Sequence, residues 1–321
     1  MVFVEAPARL HFGVLDLCGS LGRWFGGIGA AAPEPTLLLS ARLDRTLGVE
    51  GADADRAEKF ARSFLAHHDL ETGARISIHR ALPPHAGLGS GTQLALAVAR
   101  AMAELHGLPT SAAALAGAVG RAQRSAVGTW TFDGGGLVVE GGRRDNTNGV
   151  GPLIARISFP PSWRCVVAVP RQRPAISGAD EAAALAALPR PPAREVERVA
   201  HLVLMALLPA LADADLAGFG RALTAIQTTT GRWFASVQGG VFAQGPSETL
   251  VRRMAERGVP GVGQSSWGPL STALSTARQR QFSSRTMSAR HWNTVAGAPC
   301  MRARSAQPVP VSGGLFELWR S

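Results

Sequence analysis

The string Leu88-Gly89-Ser90-Gly91-Thr92-Gln93, preceded by Pro83-Pro84-His85-Ala86-Gly87, sets three glycines and two hydroxyls just ahead of a long Ala-rich apolar run. Glycines let successive backbone N–H groups converge, and a helix starting there adds the positive end of its dipole. Phosphate binds well in that geometry. The hydroxyls of Ser90 and Thr92 can cap the helix, bond phosphate oxygens or ligate a magnesium ion. No Gly-Lys-Ser/Thr follows, which excludes a Walker loop, and the dinucleotide pattern Gly-x-Gly-x-x-Gly is absent. Elsewhere Arg9 and His11 alternate on an expected strand, where either faces a site, solvent or a sheet neighbour. Asp133 precedes Gly134-Gly-Gly, a place where aspartate commonly stabilises a turn.

The elements that must position these residues follow from periodicity. Residues 2–17 alternate loosely around Arg9, His11 and Asp16, as a strand, a turn and a second strand. Gly19–Gly29 is too rich in glycine for a regular element. Thr36–Glu50 reads as another strand pair, Asp53–His68 as a helix, and Ala74–Arg80 as a strand with Ile76 and Ile78 on one face. The Ala-rich helix runs from Thr92 to His106 and stops at Gly107-Leu-Pro109, and a second helix covers Thr110–Arg124. Strands are expected at Gly136–Glu140 and Trp163–Val169, and helices at Gly178–Leu188, Ala193–Leu211 and Ala214–Thr229. This order favours an α+β fold over a doubly wound parallel sheet. A boundary within 145–175 divides residues 1–150 from 151–269. From Leu270 to Ser321 the composition changes to Ser, Thr and scattered Arg without amphipathic pattern. That tail reads either as disordered or as translated from a shifted frame.

Hydrophobic content of 46% with 17% charged residues fits a globular chain of 321 residues. No apolar run reaches the roughly 18–20 residues of a membrane span, and the N-terminus lacks the pattern of a signal peptide. Cys18, Cys165 and Cys300 have no metal-ligand spacing, so a reducing cytoplasm is expected. The net charge of +10 is uneven, because residues 270–321 hold seven Arg against one acidic residue. With no tyrosine and no aromatic-rich basic stripe, a nucleic-acid partner is not expected.

Pro83–Gln93 resembles the second motif of the GHMP-kinase superfamily, Pro-x-x-x-Gly-Leu-Gly-Ser-Ser-Ala. It departs where that motif has Ser-Ala, placing Gly91, Thr92 and Gln93 there. Ala6-Pro-Ala-Arg9-Leu-His11-Phe-Gly-Val-Leu-Asp16-Leu resembles the first motif, and Gly261-Val-Gly263-Gln264-Ser265-Ser266-Trp267-Gly-Pro269 the third. With Arg124-Ser-Ala-Val-Gly-Thr129, the set is similar to the β-ribofuranosylaminobenzene 5′-phosphate synthase family, over residues 3–269. The resemblance implies a two-domain GHMP-kinase-like fold, an N-terminal mixed sheet with helices and a C-terminal ferredoxin-like α+β half. The implied reaction condenses 4-aminobenzoate with phosphoribosyl pyrophosphate, releasing CO₂ and pyrophosphate, on the route to tetrahydromethanopterin.

That chemistry assigns expectations. Gly87, Leu88, Gly89, Ser90, Gly91, Thr92, Gln93 and Arg124 are expected at phosphate. Arg9, His11, Asp16 and Asp133 are the catalytic candidates, either aspartate facing the ribosyl cation. Mg²⁺ would sit on Ser90 and Asp16. Thr129, Trp130, Gly263, Gln264, Ser265, Ser266 and Trp267 are expected to contact substrate. No pyridoxal phosphate is expected, since the single lysine, Lys59, falls in a surface helix. The superfamily implies a homodimer. The rivals are an ATP-dependent kinase of the same superfamily and an inactive homologue disrupted after Pro269.

Overall fold

The computed structural model describes residues 1–144, 147, 149–170, 183–184, 187–266, 270–276 and 292–295. Strands β1 (Val2–Asp16) and β2 (Arg23–Asp44) pair antiparallel, from Val2 opposite Ala41 to Asp16 opposite Phe25. Residues 2–17 are therefore one strand and not two. Register shifts between Pro7 and Ala8 and between His11 and Gly13 break its alternation, so that Leu10, His11 and Phe12 are buried in succession.

The glycines before residue 30 do not interrupt structure either; from Arg23 onward they lie in β2. A Cβ at Gly29 would lie 2.3 Å from the Leu10 carbonyl oxygen and 2.4 Å from Val127 Cγ1. Glycine here lets the helix carrying Val127 press onto the sheet.

β2 also pairs with β4 (Gly73–Arg80), β5 (Leu137–Glu140) and β6 (Arg143–Arg144). β3 (Gly48–Gly51) joins β4 in parallel through the crossover helix α1 (Ala54–His67), and β7 (Leu153–Ile157) pairs with β5. Helix α2 (Ser90–His106) is apolar nearly all round, with Leu94, Leu96, Val98 and Met102 buried, as expected for a helix packed inside the core. α3 covers only Ala112–Ala118; Gly120, with φ +64°, lies just beyond its end. The stretch from Val127 to Gly134, assigned no element on sequence, forms helix α4.

In the second half, α5 (Ala193–Leu202) continues through a π-helical segment, Val203–Leu207, into α6 (Leu208–Ala212). α7 (Leu216–Trp233), α8 (Ala235–Gln238) and α9 (Pro246–Glu256) follow. β8 (Trp163–Pro170), β9 (Gly263–Gln264), β10 (Ser271–Thr276) and β11 (Trp292–Val295) form an antiparallel sheet in the order β11-β8-β10-β9. The segment after Pro269, set apart on composition, thus supplies β10, with Leu270, Ala273 and Leu274 buried. Of the helix expected over Gly178–Leu188, only residues 183–184 and 187–188 are described, the first two of them helical. A mixed sheet with helices beside an antiparallel sheet is the α+β arrangement expected. Among the described residues no helix is long and apolar enough to cross a membrane.

Candidate substrate-binding site

Three segments distant in sequence are tied together at the start of α2. The Arg9 N–H donates to the Leu88 carbonyl at 2.8 Å. The fully buried Ser265 hydroxyl accepts from the His11 N–H at 2.9 Å and donates to the Gly87 carbonyl at 2.7 Å. The Ser266 N–H closes the ring by donating to the His11 carbonyl at 3.1 Å. Gly87 and Gly89 hold φ of +84° and +71°, and the Gly89 carbonyl accepts from the amides of Thr92 and Gln93, each at 3.0 Å. The first amides of α2 have no acceptor within the helix, as at any helix start.

Beside this junction lies a cleft of about 330 Å³. Its charged lining is arginine alone, Arg9, Arg121 and Arg124, with no carboxylate. Neutral polar groups from the second half, Gln227, Thr230 and Gln264, complete the wall. Such a lining concentrates positive potential and favours a polyanion.

His11 lines the same cleft yet is only 9% exposed. Burial first, and the Arg9 charge second, lower its pKa from 6.5 to about 3, so the imidazole is neutral at physiological pH. Its Nε2 lies 3.2 Å from the Ser125 hydroxyl, which accepts from the Val127 N–H at 3.3 Å. Behind Ser125, the buried Glu140 accepts from the amides of Ala126 at 3.2 Å and Gly142 at 2.8 Å. Burial raises the Glu140 pKa, while those amides and the Ser125 hydroxyl hold it down.

The depressed His11 pKa has a consequence for stability. The unfolded chain takes up a proton near pH 6.5 and the folded chain does not. The His11 contribution is therefore fully present above pH 6.5 and is lost as the pH falls, at up to about 1.4 kcal/mol per unit. Glu140 shifts in the opposite sense, so the expected signal is a difference. Urea unfolding of wild type minus His11→Asn should narrow from pH 6.5 to about 5.

Of the expected residues, Arg9, His11, Thr92, Arg124, Gln264 and Ser266 line the cleft. Several others are placed elsewhere. Asp16 Oδ1 accepts from the amides of Cys18 and Gly19, closing the turn after β1. Asp133 pairs with Arg156 at 2.9 Å near the end of α4. Gln93 is fully buried and donates to the Gly128 carbonyl at 3.0 Å, tying α2 to α4. Thr129 is buried within α4, and the Trp130 indole donates to the Gly151 carbonyl at 2.8 Å. Once Val127–Gly134 is helical, these residues face packing partners and leave the cleft. Gly263 lies in β9, its neighbour Gln264 donating its amide to Gln227 Oε1 at 2.7 Å. Trp267 lies outside the described residues.

Magnesium binding through protein normally uses one or two carboxylates plus substrate phosphates. Here the cleft offers none, Asp16 is engaged in its turn, and no three His, Cys, Asp or Glu converge among the described residues. Of the expected Asp16–Ser90 ligand pair, neither residue lines the cleft, and Asp16 Oδ1 faces the Cys18 and Gly19 amides.

Sequence reasoning missed Arg121, Ser125, Gln227 and Thr230 as cleft residues. The only local signal was Arg121-Ala-Gln-Arg124-Ser125, directly after the Gly120 that follows α3.

Residues 55–134 match the family model described as the GHMP kinases N terminal domain. Over 290 residues the chain is 33% identical to β-ribofuranosylphenol 5′-phosphate synthase of Methanothermobacter thermautotrophicus, covering 84% of this chain and 87% of that one. The chain belongs to this synthase family. It is 37% identical to the protein of the same name from Archaeoglobus fulgidus, covering 71% of this chain and 75% of that one. Mevalonate kinase of Methanococcus jannaschii shares the fold, with a TM-score of 0.67 at 12% identity and coverage of 93% and 98%. The chain is thus an enzyme, a synthase built on the GHMP-kinase fold.

Proposed function

We propose that the chain condenses phosphoribosyl pyrophosphate with 4-aminobenzoate, giving β-ribofuranosylaminobenzene 5′-phosphate, CO₂ and pyrophosphate, as a step toward tetrahydromethanopterin. One observation carries this reading: the cleft beside the glycine loop is charged only by arginines, which suits a substrate with phosphate at both ends. Arg9 and Arg124 take the 5′-phosphate.

The C1–O bond to pyrophosphate breaks with its electron pair, which the arginines and the α2 amides stabilise as it departs. The carboxyl-bearing ring carbon attacks C1, forming the new C–C bond. The bond to the carboxyl carbon then breaks, CO₂ leaves, and its electrons restore the aromatic ring. No oxidant or reductant enters. The para amino group pushes electron density to the attacking carbon. A hydroxyl does the same, and the family relatives are named for a phenol product. Neutral His11 contributes hydrogen bonds without adding charge beside the ribosyl cation.

The test is a label. With carboxyl-¹³C benzoates, amino and hydroxy run side by side, labelled CO₂ should appear in step with pyrophosphate. Label retained in the ribosylated product would contradict the route.

A further inference from the structure

The charge in and around the cleft divides into two groups. Arg9 lies against Gly89: a Cβ there would be 3.1 Å from both Arg9 Cβ and Nε. A second pair converges at the next glycine, where a Cβ on Gly91 would lie 2.8 Å from Arg56 Nη2 and 3.5 Å from Arg121 Nη2. Arg56 has a partner, Asp53, at 3.2 Å. Arg121 has no acidic partner among the described residues. Its guanidinium stacks on Phe60, 4.7 Å from the ring centroid, and its Nε is buried without a hydrogen-bond acceptor.

Two like charges held this close to a helix start are costly without a counter-charge. Burial, then the Arg56 charge, lowers the pKa of Arg121. The stacked ring fixes the guanidinium plane, so its forked donors are oriented before any ligand arrives. Because Arg121 also lines the cleft, an anion entering there meets its guanidinium, with Arg56 alongside at Gly91.

We propose that Arg121, seconded by Arg56, is the receptor for the pyrophosphate end of the substrate, and that glycine at position 91 leaves room for the Arg56 guanidinium, which a Cβ would crowd at 2.8 Å. This rests on the phosphoribosyl pyrophosphate reading above and assigns its two ends to different arginines. It also accounts for glycine at position 91, where the kinase motif has serine, and it supplies by arginine positive charge against the pyrophosphate of the kind a magnesium ion would supply.

The experiment titrates wild type, Arg121→Met, Arg121→Lys and Gly91→Ser with inorganic pyrophosphate and separately with ribose 5-phosphate, by calorimetry. Arg121→Met should weaken pyrophosphate about tenfold or more and leave ribose 5-phosphate within about twofold. Arg121→Lys keeps charge and aliphatic stem but loses the fork, and should weaken pyrophosphate by an intermediate factor. It serves as the decisive variant if the methionine protein does not fold. Gly91→Ser, which crowds Arg56 and leaves Arg121 at contact distance, should weaken pyrophosphate by a smaller factor with every arginine present. Pyrophosphate binding unchanged in the Arg121 variants, or both ligands weakened equally, overturns the assignment. Wild type binding neither ligand would instead sink the substrate reading on which it rests.

Discussion

Gly89→Ala is expected to lower kcat/KM for phosphoribosyl pyrophosphate by about a hundredfold while the protein stays folded. Gly89 holds φ +71° at the helix start, a conformation that costs an L-residue about 1–2 kcal/mol. Its new Cβ would also stand 3.1 Å from Arg9 Cβ and Nε. Either the loop amides tilt away from phosphate or Arg9 leaves its place. Each charge-assisted hydrogen bond so lost costs about 1.5–3 kcal/mol, which sets the expected factor. The check is kcat and KM with phosphoribosyl pyrophosphate varied, alongside a thermal melt. A lowered melting temperature with unchanged kcat/KM would mean that the loop serves folding and not substrate.

Ser265→Ala should act on assembly of the site. The hydroxyl satisfies the His11 N–H and the Gly87 carbonyl inside a fully buried space, so alanine leaves both groups without a partner. The expected loss is about 2–3 kcal/mol of unfolding free energy. KM should rise about tenfold as the first and second motifs lose their common anchor on the third. Denaturant unfolding with steady-state kinetics reads both. A change in stability alone would show that the anchor holds the chain without positioning the site.

The loop and α2 were legible because their signal is local: glycines, hydroxyls and an Ala-rich run are contiguous in sequence. Arg9 and His11 were legible through motif resemblance, and both line the cleft. The aspartates misled. Asp16 and Asp133 have the right chemistry, but their surroundings are set by a turn after β1 and by an ion pair on α4. The first half of β2 was hidden for a physical reason. Glycine at position 29 reads as flexibility in a string, whereas in the fold it makes room for Val127. Arg121 was hidden because nothing in the sequence brings it to Gly91; only the packing of the segment after α3 against α1, through Phe60, does so.

In the proposed reaction a kinase-type phosphate loop serves phosphoribosyl pyrophosphate. The most direct test is one protein preparation assayed for two products: pyrophosphate from phosphoribosyl pyrophosphate with 4-aminobenzoate or 4-hydroxybenzoate, and ADP from ATP with candidate small-molecule acceptors. The expected result is pyrophosphate release dependent on the arene, with no ADP above background. Acceptor-dependent ADP formation without arene-dependent pyrophosphate release would instead make the loop an ATP site.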